Sequence, residues 1–195
     1  MNRRVVITGM GMITPIGNDV ESSWSSAKAG VSGVGLIDYF DTEDYAVKIC
    51  AAVKDFEIAD YMSPKEARRM DGCIQFGFAA GVQAVEDAGI QGLDPNRTGI
   101  AIGSGIGGIR LIQETHSVLL KGGPRKVSPF FIPGTVANMV SGNLSIKYGF
   151  KGPNIAIVTA CSTGTHNIGF GARMIQQGDA DVMLVGGAEN ATSPV

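Results

Sequence analysis

Four short apolar runs, each closing on small residues, limit most strongly what this chain can fold into: VVITGMG (5–11), GIAIGSG (99–105), IAIVTACS (155–162) and VMLVGGAE (182–189). Continuous apolar strands of this length belong in a sheet covered on both faces. KICAAV (48–53) reads as a fifth, an edge strand. Helix signals lie between the runs. Asn18-x-x-Glu21 reads as a capping box opening a helix over 20–29. Ser63-Pro64-Lys65-Glu66 predicts the start of a long helix, with a cap residue, a first-turn proline and Glu at the third position. Ala67, Met70, Ile74, Phe78, Val82 and Val85 keep helical spacing behind it, and Gly89 ends it. Further helices are expected over about 109–121, over 135–148 and from Cys161 to Gly178. Such alternation predicts an α/β domain spanning 1–195, with a largely parallel sheet and a ligand site at the carboxyl ends of its strands.

Composition narrows the function classes. Charged residues are 17% against 44% hydrophobic, which predicts that part of the surface is covered by a partner or by further chain. No apolar run approaches ~18 residues, so no membrane span is expected, and MNRRVVITGMG has too short an apolar part for a signal peptide. Cys50, Cys73 and Cys161 are an odd number without CxxC spacing, which fits a reducing cytoplasm rather than a disulfide framework. With His116 and His166 as the two histidines, a Cys/His metal site is short of ligands; neither a metal nor a cofactor is expected. A net charge of -2 predicts no general affinity for nucleic acid. The charges are unevenly spread, however. From Thr115 through Gly178 there is no Asp or Glu, while Lys121, Arg125, Lys126, Lys147, Lys151 and Arg173 fall there. That predicts a positive face.

GSGIGG (103–108) matches G-x-G-x-x-G between a strand and a helix. A dinucleotide site would need an acid about 20 residues onward, and no carboxylate lies between Glu114 and Asp179. A tight strand-to-helix turn is the better reading. Cys161 is the sharper signal. A thiol opening a helix after a buried strand sits near partial positive charge and unpaired N–H groups, which favour thiolate over thiol. Ser162, Thr163 and Gly164 leave room for a substrate carbonyl. Position alone leaves two readings, a nucleophile or a buried structural cysteine; Cys50 and Cys73 fit the second. His166 is five residues on, and at 3.6 residues per turn its side chain points roughly 140° away from that of Cys161. It reads as a structural, hydrogen-bonded residue, not as the base. Lys65, Arg68 and Arg69, at i, i+3 and i+4, are expected to cluster on the long helix's first turns. Cations there oppose the helix dipole by about 0.3–1 kcal/mol each, which points to an acidic partner. Arg125 and Lys126 extend the patch beside Phe130 and Phe131.

Taken together and in order, GSGIGG, KVSPFFIPGTVANMVSGNLSIKYGFKGPN, TACSTGTHNIG and VGGAEN resemble a β-ketoacyl-acyl-carrier-protein synthase of the type II elongating class, and the resemblance runs from VVITGMGMITPIGN to the last residues. It implies a thiolase-like fold built of two similar α/β halves, of which this chain is the N-terminal one, with a five-stranded mixed sheet flanked by helices. It implies that Cys161 accepts an acyl group from acyl carrier protein as a thioester. Malonyl carrier protein then loses carbon dioxide and its carbanion attacks that thioester, with the Cys161 N–H in the oxyanion hole. The resemblance places Ile106 beside the acyl pocket as a chain-length gate. It makes Phe130 and Phe131 part of a homodimer interface lining the partner's pocket. Lys65, Arg68, Arg69, Arg125 and Lys126 become the surface that receives the acidic carrier. Two catalytic histidines would come from the second half, in the same or another chain. A type I elongating synthase or a polyketide ketosynthase would share the nucleophile, though Cys161-Ser162-Thr163-Gly164 and SPFFIP favour type II. A noncatalytic partner of the chain-length-factor kind should lack the cysteine.

Overall fold

A computed structural model describes residues 3–194. From the amino end the elements are α1 (Val20–Lys28), the pair β1 (Gly35–Leu36) and β2 (Ile49–Cys50), the single turn α2 (Pro64–Ala67) and α3 (Gly72–Ala88). Then come β3 (Thr98–Gly103), α4 (Ile109–Gly122), α5 (Met139–Tyr148), β4 (Asn154–Ile155), α6 (Thr163–Gln177) and β5 (Val182–Gly187). β3 is the buried centre of a parallel three-stranded sheet in the order β4-β3-β5. Its alternation decides the layers. Ile100 and Ile102 enter a core with Cys73, Ile74, Phe78 and Val82 of α3 and Val140 and Leu144 of α5. On the other face Gly103 lies under Thr163 and Asn167 of α6, where a Cβ would come within 3.0 Å of Thr163 Cγ2.

The expected strands are realised unevenly. β3 and β5 stand where the apolar runs placed them. KICAAV pairs over Ile49–Cys50 with Gly35–Leu36, antiparallel and in a separate sheet. Residues 5–11 join no ladder. The Met10 N–H donates to Asp87 Oδ2 at 2.8 Å and the Met12 N–H to Gln83 Oε1 at 2.9 Å, so α3 takes the bonds a neighbouring strand would have made. Among the described residues there is therefore no single five-stranded mixed sheet. The run 155–162 leaves the ladder after Ile155. From there the buried Ser141 hydroxyl accepts the Ile102 N–H at 2.9 Å, and side chains of α6 bond the backbone of Ile157 and Thr159.

Two helix starts also shift. Asp19, not Asn18, caps α1 through Ser22 N; Asn18 instead donates to the carbonyls of Lys54 and Asp55. The Ser63–Glu66 capping box forms in full, but it opens only α2. Asp71 then takes extended backbone angles and caps α3 anew, so the long helix is two. Residues 135–138 form turns, and α5 begins at Met139. Gly89, Gly149 and Gly178 end α3, α5 and α6 in left-handed backbone that glycine adopts without a steric penalty.

Candidate active site

Cys161 is exposed on the short turn Ala160–Ser162, between the end of the β4 run and α6. Ala160 holds φ +51°, a left-handed conformation costly for a residue with a Cβ. The surroundings fix it there. Asn167, fully buried, accepts the Ile157 N–H at 3.0 Å and donates to the carbonyls of Ile157 (3.0 Å) and Thr163 (2.9 Å). One amide thus imitates a neighbouring strand for the segment leading to Cys161. Thr159 N–H donates to Thr163 Oγ1 at 2.9 Å. The Ser162 and Thr163 amides donate to Thr159 O and Ala160 O, and the Cys161 N–H makes no hydrogen bond among the described residues. His166 Nδ1 lies 2.7 Å from Thr159 Oγ1, in keeping with a hydrogen-bonded structural role.

The end of β3 comes to the same place. A Cβ on Gly105 would stand 3.2 Å from Ala160 Cα, so the glycine loop carrying Ile106 abuts the Cys161 turn. Ile106 is 53% exposed. The loop is fastened at both ends by carboxylates that sequence reasoning did not single out. Glu189, just past β5, accepts the Ser104 hydroxyl and the Gly105 N–H, both at 2.8 Å. Asp71, buried, accepts Cys73 N–H at 3.0 Å and Leu111 N–H at 2.9 Å. One carboxylate therefore caps α3 and also takes a first-turn donor of α4. The loop's Gly108 N–H donates to Thr135 O at 2.8 Å. A local signal existed for Asp71, because Asp-Gly inside a helical pattern marks a new cap. None existed for Glu189.

The remaining expected residues divide. Lys65 lies in α2, Arg68 closes it, and Arg69 lies beyond, so the three do not share the face of one long helix. Arg68 Nε donates back to Pro64 O at 3.1 Å, and the Arg69 guanidinium lies over the Phe130 ring, 3.9 Å from its centroid. The structure therefore joins the basic segment to the aromatic one. Phe130 is exposed and Phe131 half-buried, both in the turns over 128–136. Arg125 and Lys126 are exposed on the turn Pro124–Lys126 after α4, roughly 20 Å along that helix from the Ile106 loop. A cleft of about 810 Å³ opens between residues 11–15, β1, β2 and Ala188–Thr192. Glu189 borders it, but neither Cys161 nor Ile106 does, so it is not the chamber of the thiol.

The other two cysteines have different surroundings. Burial, aided by the Asp71 carboxylate, pushes the Cys73 thiol up to about 12. Cys50 is half-buried, with its sulfur 3.5 Å from the Tyr39 hydroxyl.

The site is thus an exposed cysteine on a strained turn at the carboxyl rim of a parallel sheet, with a glycine loop against it. The chain belongs to the β-ketoacyl synthase family, whose N-terminal domain matches residues 2–195. The 3-oxoacyl-[acyl-carrier-protein] synthase 2 of Vibrio cholerae is 57% identical over 195 residues, which are 99% of this chain and 47% of that protein. The protein of the same name from Coxiella burnetii is 51% identical over the same share of each. The chain spans about half the length of these curated relatives. Among solved structures, the complex of a type II PKS acyl-carrier protein with its ketosynthase bound to the hexaketide superposes with a TM-score of 0.84 at 31% identity. The match covers 100% of this chain and 53% of that one. The ishigamide ketosynthase/chain length factor gives 0.82 at 29%, covering 98% and 48%. The expected family and its α/β, thiolase-like fold are thereby borne out. No described helix is long and apolar enough to cross a membrane.

Proposed function

We propose that Cys161 is the acyl acceptor of a 3-oxoacyl-acyl-carrier-protein synthase that elongates fatty acids. The observation that carries this reading is the exposed thiol on the Ala160–Ser162 turn, seated against the Ile106 loop in a chain of the β-ketoacyl synthase family. The sulfur attacks the carbonyl of an acyl carrier thioester, a new C–S bond forms, and the carrier leaves as its thiol. Malonyl carrier protein then loses carbon dioxide, and its carbanion attacks the Cys161 thioester and expels the sulfur as 3-oxoacyl carrier protein forms. The free Cys161 N–H supplies one donor to each tetrahedral oxyanion. In this reading two histidines needed for condensation come from a second half, in the same or another chain.

The partner is acyl carrier protein, docked on Lys65, Arg68, Arg69, Arg125 and Lys126. Support comes from the exposure of Arg125 and Lys126, from the Arg69–Phe130 contact that joins the first basic segment to the aromatic one, and from the carrier in the solved neighbour. Phe130 and Phe131 lie at a homodimer interface, and the protein acts in the cytoplasm. A polyketide ketosynthase would share the fold, but relatives at 57% and 51% identity favour fatty acid elongation. Incubation with carrier protein bearing an acyl thioester, followed by peptide mapping, tests the reading. The acyl group is expected on Cys161 and absent from Cys161→Ala, and a thioester on Cys50 or Cys73 would refute it. Charge reversal at Arg68 and Arg69 should raise KM for carrier-linked substrate, increasingly so at low salt, and spare a small thioester. Equal losses on both substrates would count against docking.

A further inference from the structure

Glu189 stands two residues past β5, and its carboxylate meets two elements from distant parts of the chain. Oε1 accepts the Ser104 hydroxyl and Oε2 the Gly105 N–H, each at 2.8 Å. While its O–H donates to the carboxylate, the Ser104 oxygen accepts the Gly107 N–H at 2.9 Å. Each bond in such a chain polarises the next. Ile106 therefore lies between two amides that both depend on Glu189, one directly and one through Ser104. A Cβ on Gly105 would fall 2.7 Å from Glu189 Oε2 and 3.2 Å from Ala160 Cα. Carboxylate, loop and cysteine turn meet there with space for hydrogen alone.

We propose that Glu189 is a positioning residue: it fixes the Ile106 loop against the Cys161 turn and thereby sets which acyl chains reach the thiol. This rests on the reading of Cys161 as the acyl acceptor. Glu189 touches no reacting atom and acts through Ile106. The site calls for a carboxylate because it must present two acceptors to two donors. Glutamine offers one oxygen. Its amide can still donate to a Ser104 hydroxyl that has turned round, so Glu189→Gln keeps part of the clamp and Glu189→Ala loses all of it.

The test uses the 195-residue chain. Amide hydrogen exchange at Gly105 and Gly107, resolved by NMR, reads the clamp. The ratio of Cys161 acylation rates by dodecanoyl and acetyl pantetheine thioesters, read by peptide mass, gives the selectivity. Glu189→Ala should speed both exchanges at least tenfold and change the ratio at least threefold, in the direction that Ile106→Ala changes it. Glu189→Gln should fall between Ala and wild type, and it carries the same test should the alanine variant not fold. Unchanged exchange overturns the proposal, and so does faster exchange with an unchanged ratio. Acylation of another cysteine in the wild type would sink the acyl-acceptor reading, and the selectivity role with it. The exchange rates would still decide whether Glu189 holds the loop.

Discussion

Cys73 is 1% exposed in the core, where burial first and the Asp71 carboxylate second push its thiol up to about 12, while Cys161 stands in solvent at the mouth of α6. The thiolate is the nucleophile, and Cys73 is held in its thiol form until pH approaches 12. Iodoacetamide at pH 8 should therefore label Cys161 and leave Cys73 intact in the folded chain. Peptide mapping checks this, and equal labelling would contradict the burial described. Ala160 is a second residue whose cost can be measured. A β-branched side chain in its left-handed conformation is less tolerable than alanine, so Ala160→Val should lose about 1–2 kcal/mol of stability in urea, and Ala160→Gly should not. The position of Cys161 between strand and helix was legible in the sequence because strand, small residues and helix follow one another locally, whereas Ile106 was singled out only through the family resemblance. Glu189 was not, because a carboxylate 85 residues from its serine partner leaves no local trace.

Among the elements, those legible in advance satisfy their own backbone groups. The Ser63 capping box is of this kind, and the apolar runs of β3 and β5 mark strands that pair regularly with each other. Misplaced elements take partners from afar. Residues 5–11 read as a strand, yet Gly9 and Gly11 lie so close to α3 that an added Cβ would reach 2.3 Å from Ala84 O and 1.9 Å from Ala80 O. The expected long helix breaks because Asp71 gains more by capping two helices than by continuing one. Removing an acceptor from a buried donor costs about 1–3 kcal/mol. Asp71→Asn, which turns an amide toward one of its two N–H partners, should lose that much in urea denaturation. A loss below 0.5 kcal/mol, on the order of a surface change, would deny the double cap. The Asp181 carboxyl links the starts of β3 and β5, and the guanidiniums of Arg97 and Arg3 lower it from its ordinary 3.8 to about 2. Because the folded value is the lower one, its contribution to stability is present above about pH 4 and is lost as pH falls toward 2. Urea midpoints of wild type and Asp181→Asn should differ at pH 5 and converge by pH 2; a constant gap would refute the link.

For the whole molecule, the exposed apolar side chains are the prominent fact: Ile7 at 80%, Ile146 at 78% and Leu120 at 73%. Surface of this kind favours association. Light scattering on the 195-residue chain should show mass rising with concentration, and a monomer at all concentrations would exclude it. The same chain should accept an acyl group at Cys161 yet release no 3-oxoacyl product from malonyl carrier protein, because the Cys161 N–H alone, without the two histidines of the proposed mechanism, does not stabilise the developing charge enough. Turnover by the chain alone would end that expectation. The parallel pairing of β3 with both β4 and β5 has a consequence in time as well as in space. A ribosome adding about 5–20 residues per second makes Ser104 roughly 4–17 s before Glu189. Through most of that interval the central strand exists without its β5 neighbour, and for roughly the last 1–6 s of it, at the same rate, the thiol is already made. The nascent chain thus carries a reactive group and an unpaired apolar strand before the residue that fastens its loop has been synthesised.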